Sequence, residues 1–320
     1  MTAASLSVRV RRRTMETADI VGLELVSAAG SGLPPFSAGA HMDVYLPDGL
    51  IRQYSLSNSP AERDRYVIGV LLAPDSRGGS AQMHGLREGD EIRISSPSNH
   101  FPLLKGAHTT LIAGGIGITP LLSMAEQLLL DAADFDLHLC TRSPEQVPFS
   151  GRWAAPDISG RLQLHHSGGD AARRVDFAAL LAKAPPHTQV YVCGPGGFMD
   201  AVLSAARQLG IDEARLHREY FSAAPVARAP GDAPFSVVLA RSGLTVEVAP
   251  GVTIVEALRQ KGIEVAVSCE QGVCGTCLTR VTAGMPDHRD MFLTDEEHAL
   301  NDQMTLCCSR SLTPSLSLDI

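Results

Sequence analysis

Four cysteines constrain this chain more than any other feature. Cys269, Cys274 and Cys277 form C-x4-C-x2-C, and Cys307 follows after 29 residues, with Cys308 directly behind it. Three thiolates on one short loop, closed by a fourth from a distant segment, suit a small inorganic core. This is the spacing of a plant-type [2Fe–2S] centre. Gly272 and Gly275 let the loop bend and turn its N–H groups toward sulfur. Structural zinc is the competing reading, but zinc sites favour two C-x2-C-like pairs, and one is present. The spacing does not choose between Cys307 and Cys308, whose side chains should diverge on extended backbone. Five of the seven cysteines fall between Cys269 and Cys308, which a secreted disulfide framework would not do. Cys140 reads as a small buried apolar residue. An iron–sulfur centre carries one electron at a time and has no substrate chemistry of its own, so something must load it and unload it.

The chain as a whole, 320 residues, is enough for two to three domains at about 150 residues each. Ser7–Arg13, Ile20–Val26, His41–Leu46, Arg52–Ser57, Arg65–Leu71 and Glu91–Ser95 are short, often alternating segments between Gly-, Pro- and Asp-rich turns. They predict a small barrel or sandwich. From Thr109 the pattern changes. Strand runs Thr109–Ala113, Leu137–Cys140, Leu162–His166 and Gln189–Val192 alternate with helical stretches Pro120–Leu130, Phe177–Lys183 and Gly197–Leu209, which implies a parallel sheet covered on both faces. Ala223–Pro234 is rich in Ala and Pro and reads as a linker. A hairpin, Phe235–Ala240 with Leu244–Val248, and a helix, Ile254–Lys261 capped by Thr253, follow. The remainder reads as loop-rich.

Two glycine turns stand at strand ends of the expected parallel sheet. Ala113-Gly114-Gly115-Ile116-Gly117-Ile118-Thr119-Pro120 opens a helix, and Cys193-Gly194-Pro195-Gly196-Gly197 follows a later strand. Ligands bind at such carboxyl ends, and a helix N-terminus favours pyrophosphate. Within the β region, Arg52-Gln53-Tyr54-Ser55 and the turn Ser76-Arg77-Gly78-Gly79-Ser80 are weak signals singly. The adjacent His165 and His166 should point apart on a strand, which is poor geometry for joint ligation.

RQYS, SRGGS, AGGIGITP, CGPGG, HREYF, SCEQGVCGTC, PDHRD and CCSRS occur here in the order of the phthalate dioxygenase reductase family, and the resemblance covers essentially the whole chain. It implies an antiparallel β-barrel flavin domain over 1–104, an α/β parallel-sheet nucleotide domain over 105–224, a linker over 225–233 and a β-grasp plant-type ferredoxin domain over 234–320. It also implies that Arg52, Tyr54 and Ser55 hold FMN, with backbone from Gly69, Val70 and Leu71, and that Arg77, Gly78, Gly79 and Ser80 bind its phosphate. Thr119 and Phe221 would flank the flavin. Gly115, Gly117, Cys193, Gly194 and Pro195 would face NADH. Ser55, Cys193 and Glu219 become the catalytic candidates, Glu219 by likeness to an acidic residue in related flavin reductases. Cys307 matches the fourth cluster ligand beside Cys269, Cys274 and Cys277, which leaves Cys308 outside the set.

The function implied is electron transfer from NADH through FMN and [2Fe–2S] to a Rieske-type oxygenase in aromatic hydroxylation or O-demethylation; NADH over NADPH rests on the resemblance alone, and the region after Thr141-Arg142 is where a 2′-phosphate would be read. NADH gives two electrons as hydride while the cluster takes one, so a flavin is needed between them. A different iron–sulfur or haem oxygenase as acceptor, or a redox-sensing interaction protein, are the alternatives. The net charge of −8 argues against nucleic acid. No run of about 18 apolar residues argues for a membrane span. MTAASLSVRVRRR lacks a secretory apolar core, so a cytoplasmic protein is expected, and the family resemblance implies a monomer. Residues 234–320 carry 11 acidic and 6 basic side chains, a net −5 that would steer this segment toward a basic partner.

Overall fold

A computed structural model describes residues 5–74, 78–153, 156–221 and 232–320. The chain divides into two units, Met1–Glu219 and Tyr220–Ile320.

The first unit contains two sheets. One consists of β1 (Leu6–Met15), β2 (Ile20–Ser27), β3 (His41–Tyr45), β4 (Ile51–Ser55), β5 (Tyr66–Leu71) and β6 (Glu91–Ile94), with helix α1 (Gly79–Gly85) before the last strand. All pairings are antiparallel in the order β4-β3-β6-β1-β2-β5. A bridge between Leu56 and Ile68 joins the two ends of that order, so the sheet closes into a barrel. Alternation explains the inside: Val8 and Val10 are buried in β1 while the neighbouring Arg9 and Arg11 are exposed. Met83 of α1 is fully buried and packs into the barrel core.

The second sheet is parallel, in the order β11-β10-β7-β8-β9. Its strands are β7 (Thr109–Gly114), β8 (Phe135–Thr141), β9 (Leu162–His166), β10 (Gln189–Cys193) and β11 (Leu216–Glu219). Helices α2 (Ile118–Leu130), α3 (Ser150–Trp153), α4 (Pro156–Ser159), α5 (Phe177–Leu181) and α6 (Gly196–Gln208) connect them. Strand β7 is buried at every position, as a central strand covered on both faces must be. Strand β11 was not expected. Its sequence Leu216-His217-Arg218-Glu219 has one buried residue, and edge pairing to β10 makes it a strand. The two sheets of this unit meet closely. Arg152 Nη1 donates to the Ser57 carbonyl at 2.7 Å, and the Phe149 N–H donates to Glu16 Oε2 at 2.9 Å.

The second unit contains β12 (Phe235–Leu239), β13 (Thr245–Val248), α7 (Ile254–Gln260), β14 (Leu278–Ala283), β15 (Pro286–Asp287), α8 (Asp295–Leu300), β16 (Gln303–Thr305), β17 (Arg310–Ser311) and β18 (Ser315–Leu318). Its main sheet runs β13-β12-β18-β14-β16, with β12 and β18 parallel. Helix α7 lays Ile254, Val255, Ala257 and Leu258 on that sheet. The expected loop-rich end is therefore corrected: β14, β16 and β18 complete the sheet. They are only three to six residues long, and their alternation is broken by a shift of register between Val281 and Ala283. Thr253 caps α7 as expected, with Glu256 completing a capping box. The linker expected over 225–233 lies largely outside the described residues.

Candidate functional site

Strand order places the chemistry. Strands β7 and β10 are adjacent and parallel, so both glycine turns leave the sheet side by side at its carboxyl edge. They interlock. A Cβ on Gly117 would lie 2.2 Å from the Cys193 carbonyl oxygen, and one on Gly194 would lie 3.0 Å from Gly114 Cα. Gly117 and Gly194 thus serve turn-to-turn packing, whereas Gly115 has φ of +54° and open space around its Cα.

Beside this edge the barrel contributes Ser55, whose hydroxyl donates to Glu219 Oε2 at 3.3 Å. Glu219 pairs in register with Cys193. Its carboxyl is set deep among protein atoms with part of its surface still accessible, and desolvation pushes its pKa up to about 8. The fully buried Cys193 thiol is pushed well above its ordinary value by burial and then by the Glu219 charge. These three candidates are brought together as a neutral, proton-holding cluster.

The flavin candidates divide between two faces of β4. Arg52 and Tyr54 lie opposite Val44 and Met42 of β3, while Ser55 lies opposite His41. Tyr54 is half-buried against the barrel core, and burial raises its pKa. Gly79 is buried against Arg52: a Cβ there would lie 2.5 Å from Arg52 Nε. Gly78 has φ of +98°, and Ser80 Oγ accepts the Ala73 N–H at 3.1 Å. The Arg52 guanidinium from β4, with a left-handed glycine and a serine hydroxyl from the turn packed against it, forms a donor set that fits a phosphate monoester. Arg77 lies outside the described residues.

On β5, Val70 is inside the barrel core, and Gly69 lies on the alternate position. A Cβ on Gly69 would meet Thr119 Cγ2 at 2.9 Å and Phe149 Cζ at 3.0 Å. Gly69 and Thr119 are therefore in direct contact, and glycine is what lets α2 approach the barrel. Leu71 is exposed at the lip of a cavity. Phe221 is 40% exposed at the start of the second unit.

That cavity, of about 980 Å³, extends from Leu71 and Gly115 across the ends of β7 and β8 toward β9. Pro195 lines it, while Gly117, Cys193 and Gly194 are packed behind. Sequence reasoning missed Arg173, Arg174 and Phe198, which also line it. The signal available was the Arg173-Arg174 pair just beyond β9. Cys140 is half-buried at this lining rather than in the core. His165 and His166 diverge as expected: His165 stacks on His138 with centroids 5.3 Å apart, and His166 Nδ1 meets Thr141 Oγ1 at 2.9 Å.

In the second unit, Cys274, Cys277, Cys307 and Cys308 are buried and Cys269 is half-buried. Thiol donation from Cys274 and then Cys307 holds Cys269 far below its ordinary pKa, and Cys307 also donates to Cys277. The Gln271 N–H donates to Cys269 Sγ at 3.3 Å. Cys307 and Cys308 lie in a turn after β16, which corrects the extended backbone expected for them. Their directions still differ. Cys307 reaches Cys269, Cys277 and also Cys308, whose Sγ lies 3.1 Å from Thr305 Oγ1. Cys308 also packs under Gly272, where a Cβ would lie 2.5 Å from its sulfur. Four converging sulfurs with backbone donors and φ of +72° at Gly272 fit a thiolate-held iron–sulfur core.

Comparison with known proteins agrees with this donor set. A model of the 2Fe-2S iron-sulfur cluster binding domain matches residues 237–312. Vanillate O-demethylase oxidoreductase of Pseudomonas putida is 52% identical over 311 residues, covering 96% of this chain and 98% of that one. Phthalate dioxygenase reductase of Burkholderia cepacia is 39% identical, covering 98% of this chain and 97% of its own. The chain belongs to the phthalate dioxygenase reductase family. A solved phthalate dioxygenase reductase, described as a modular structure for electron transfer from pyridine nucleotides to [2Fe–2S], superposes with a TM-score of 0.75 at 38% identity, over 99% of this chain and 98% of that one. An intact type IV self-sufficient cytochrome P450 monooxygenase gives a TM-score of 0.87 at 36% identity, over 99% of this chain but 41% of the longer protein. Like others of its family, the chain is an oxidoreductase with a flavin-binding barrel, a nucleotide domain and a ferredoxin domain, and it works with a flavin, NADH and [2Fe–2S]. Among the described residues, no helix is long and apolar enough to cross a membrane.

Proposed function

We propose that this chain is the NADH-dependent reductase component of a Rieske-type oxygenase, and that the system it serves is aromatic O-demethylation of the vanillate type. The observation that carries the reading is near-complete, 52% likeness to a vanillate O-demethylase oxidoreductase. The sites support it. Arg52, Gly78, Gly79 and Ser80 would hold the FMN phosphate, with Tyr54, Ser55, Gly69 and Thr119 along the rest of the molecule. Cys269, Cys274, Cys277 and Cys307 would hold the cluster, and Cys308 would not. When bound, FMN turns a two-electron hydride donor into a source of single electrons, and [2Fe–2S] carries those electrons one at a time. The residues set the stage for this. The glycine turns bring the nucleotide to the sheet edge, the buried Cys193 wall excludes water, and Ser55 with Glu219 holds a proton beside it.

The segments 1–104, 105–224 and 234–320 then correspond to flavin, nucleotide and cluster domains, joined by 225–233, in a monomeric cytoplasmic protein. Light scattering and cell fractionation check those last two points. The functional test combines purified reductase, NADH and a vanillate-demethylating oxygenase component, and measures demethylated product against NADH consumed. Coupled product formation is expected. NADH oxidation with cytochrome P450 but none with the Rieske component would place the chain with the haem oxygenases instead.

A further inference from the structure

We propose that this chain also accepts NADPH, because Arg142, Arg173 and Arg174 form a receptor for the 2′-phosphate at the far end of the nucleotide cavity. The inference rests on the reading of that cavity as the pyridine-nucleotide site. Position is the first argument. Ser55, Cys193 and Glu219, the candidates for the reacting end, lie at the β10–β11 side of the sheet, just beyond the cavity's own lining. The glycine turns of β7 and β10 occupy the middle. The adenosine half is therefore left for the β8–β9 side, where all three arginines line the cavity.

Local structure gathers them. The Gly168 N–H donates to the Arg142 carbonyl at 2.7 Å, which ties the turn after β9 to the end of β8. Gly168 has φ of +61°, and a Cβ there would lie 3.5 Å from Arg173 Nη1, so Arg173 folds back over this turn. Asp170 caps the next turn by accepting the Ala172 N–H at 2.9 Å, and this fixes the start of the Arg173-Arg174 pair.

Charge is the second argument. Dinucleotide folds that select NADH place an acidic side chain near the ribose 2′-hydroxyl, whereas an arginine there accommodates a 2′-phosphate. Among the described residues, the one acidic side chain lining this cavity is Asp19, which belongs to the barrel and accepts a hydrogen bond from Thr17. Arg142, Arg173 and Arg174 have no carboxylate ion-pair partner among the described residues. Arginine forks suit phosphate, and solvated ones need no desolvation partner before it arrives.

The test uses the full-length holoprotein. Steady-state rates with NADH and NADPH are measured against an artificial one-electron acceptor, and 2′,5′-ADP and 5′-AMP are titrated by calorimetry. NADPH should be used with kcat/KM within about tenfold of NADH, and 2′,5′-ADP should bind at least about tenfold tighter than 5′-AMP. Arg142→Ala combined with Arg174→Ala should lower the NADPH-to-NADH ratio of kcat/KM at least about tenfold, and lysine at both positions should restore part of it. Equal binding of 2′,5′-ADP and 5′-AMP, or an unmoved ratio in the alanine variant, would overturn the inference while NADH turnover left the reductase reading in place. Failure of both nucleotides to reduce the protein would overturn that reading and the inference together.

Discussion

At the scale of single residues, close contact decides which glycines matter. Gly115 and Gly117 look equivalent in Gly114-Gly115-Ile116-Gly117, yet one faces open space and the other abuts a backbone carbonyl. Gly117→Ala should therefore destabilise by about 3 kcal/mol through overpacking against atoms that cannot rotate away. Gly115→Ala should cost about 1–2 kcal/mol from its left-handed φ alone. Urea titrations of both variants check the order, and a smaller loss for Gly117→Ala would contradict it. Glu219 carries a pH prediction. Its pKa is raised from 4.5 to about 8 by desolvation. Between those values the folded chain keeps a proton that the unfolded chain has released, so stability contributed by this group falls as pH rises through the window. Glu219→Gln removes the loss. The difference in unfolding free energy between variant and parent should grow in the variant's favour across the window and level off above it. A flat difference would sink the argument. The partnership itself was invisible in the sequence, since Ser55 and Glu219 are 164 positions apart.

At the scale of elements, local signals were legible where one residue type does a local job. Thr253 and Glu256 satisfy each other's backbone N–H groups around the start of α7, with the Glu256 N–H donating to Thr253 Oγ1 at 3.1 Å. Thr253→Ala should lower the melting temperature of the second unit and cost about 1 kcal/mol. Arg310 does a job no local pattern announces. It is 5% exposed, its Nη1 donates to the Val252 carbonyl at 2.6 Å, and its Nη2 donates to Ala233 and Ala249 carbonyls. Its guanidinium also lies 5.0 Å from the Phe235 ring centroid. One side chain thus joins β17 to the turns around β12, β13 and α7. Arg310→Met should cost about 3 kcal/mol or more, because three carbonyls lose a charged donor. Denaturation that matched the parent would refute it. Strands β14, β16 and β18 were illegible for the opposite reason: they are short, and their pairing partners supply the order their sequences lack.

At the scale of the whole molecule, two units make separable predictions. Cys307→Ser should lose the cluster's visible absorbance and its acid-labile sulfide, while Cys308→Ala should keep both, because Cys308 is turned toward Thr305 and Gly272. Cluster loss in Cys308→Ala would reverse the assignment. Removing iron should lower the thermal stability of residues 232–320 and leave the melting of the first unit in place, since the four sulfurs all belong to the second. The cysteine spacing, the strand alternation of the barrel and the alternating strands and helices that follow were fixed by the chain itself, because thiolate convergence, period-two burial and buried-strand runs are local properties of consecutive residues. What only folding decided is where distant pieces meet: Ser55 on Glu219, Gly117 on Cys193, Gly69 on Thr119, and three arginines at one end of a cavity. Those contacts depend on strand order and on which face each residue presents, and neither is determined until the sheets have closed.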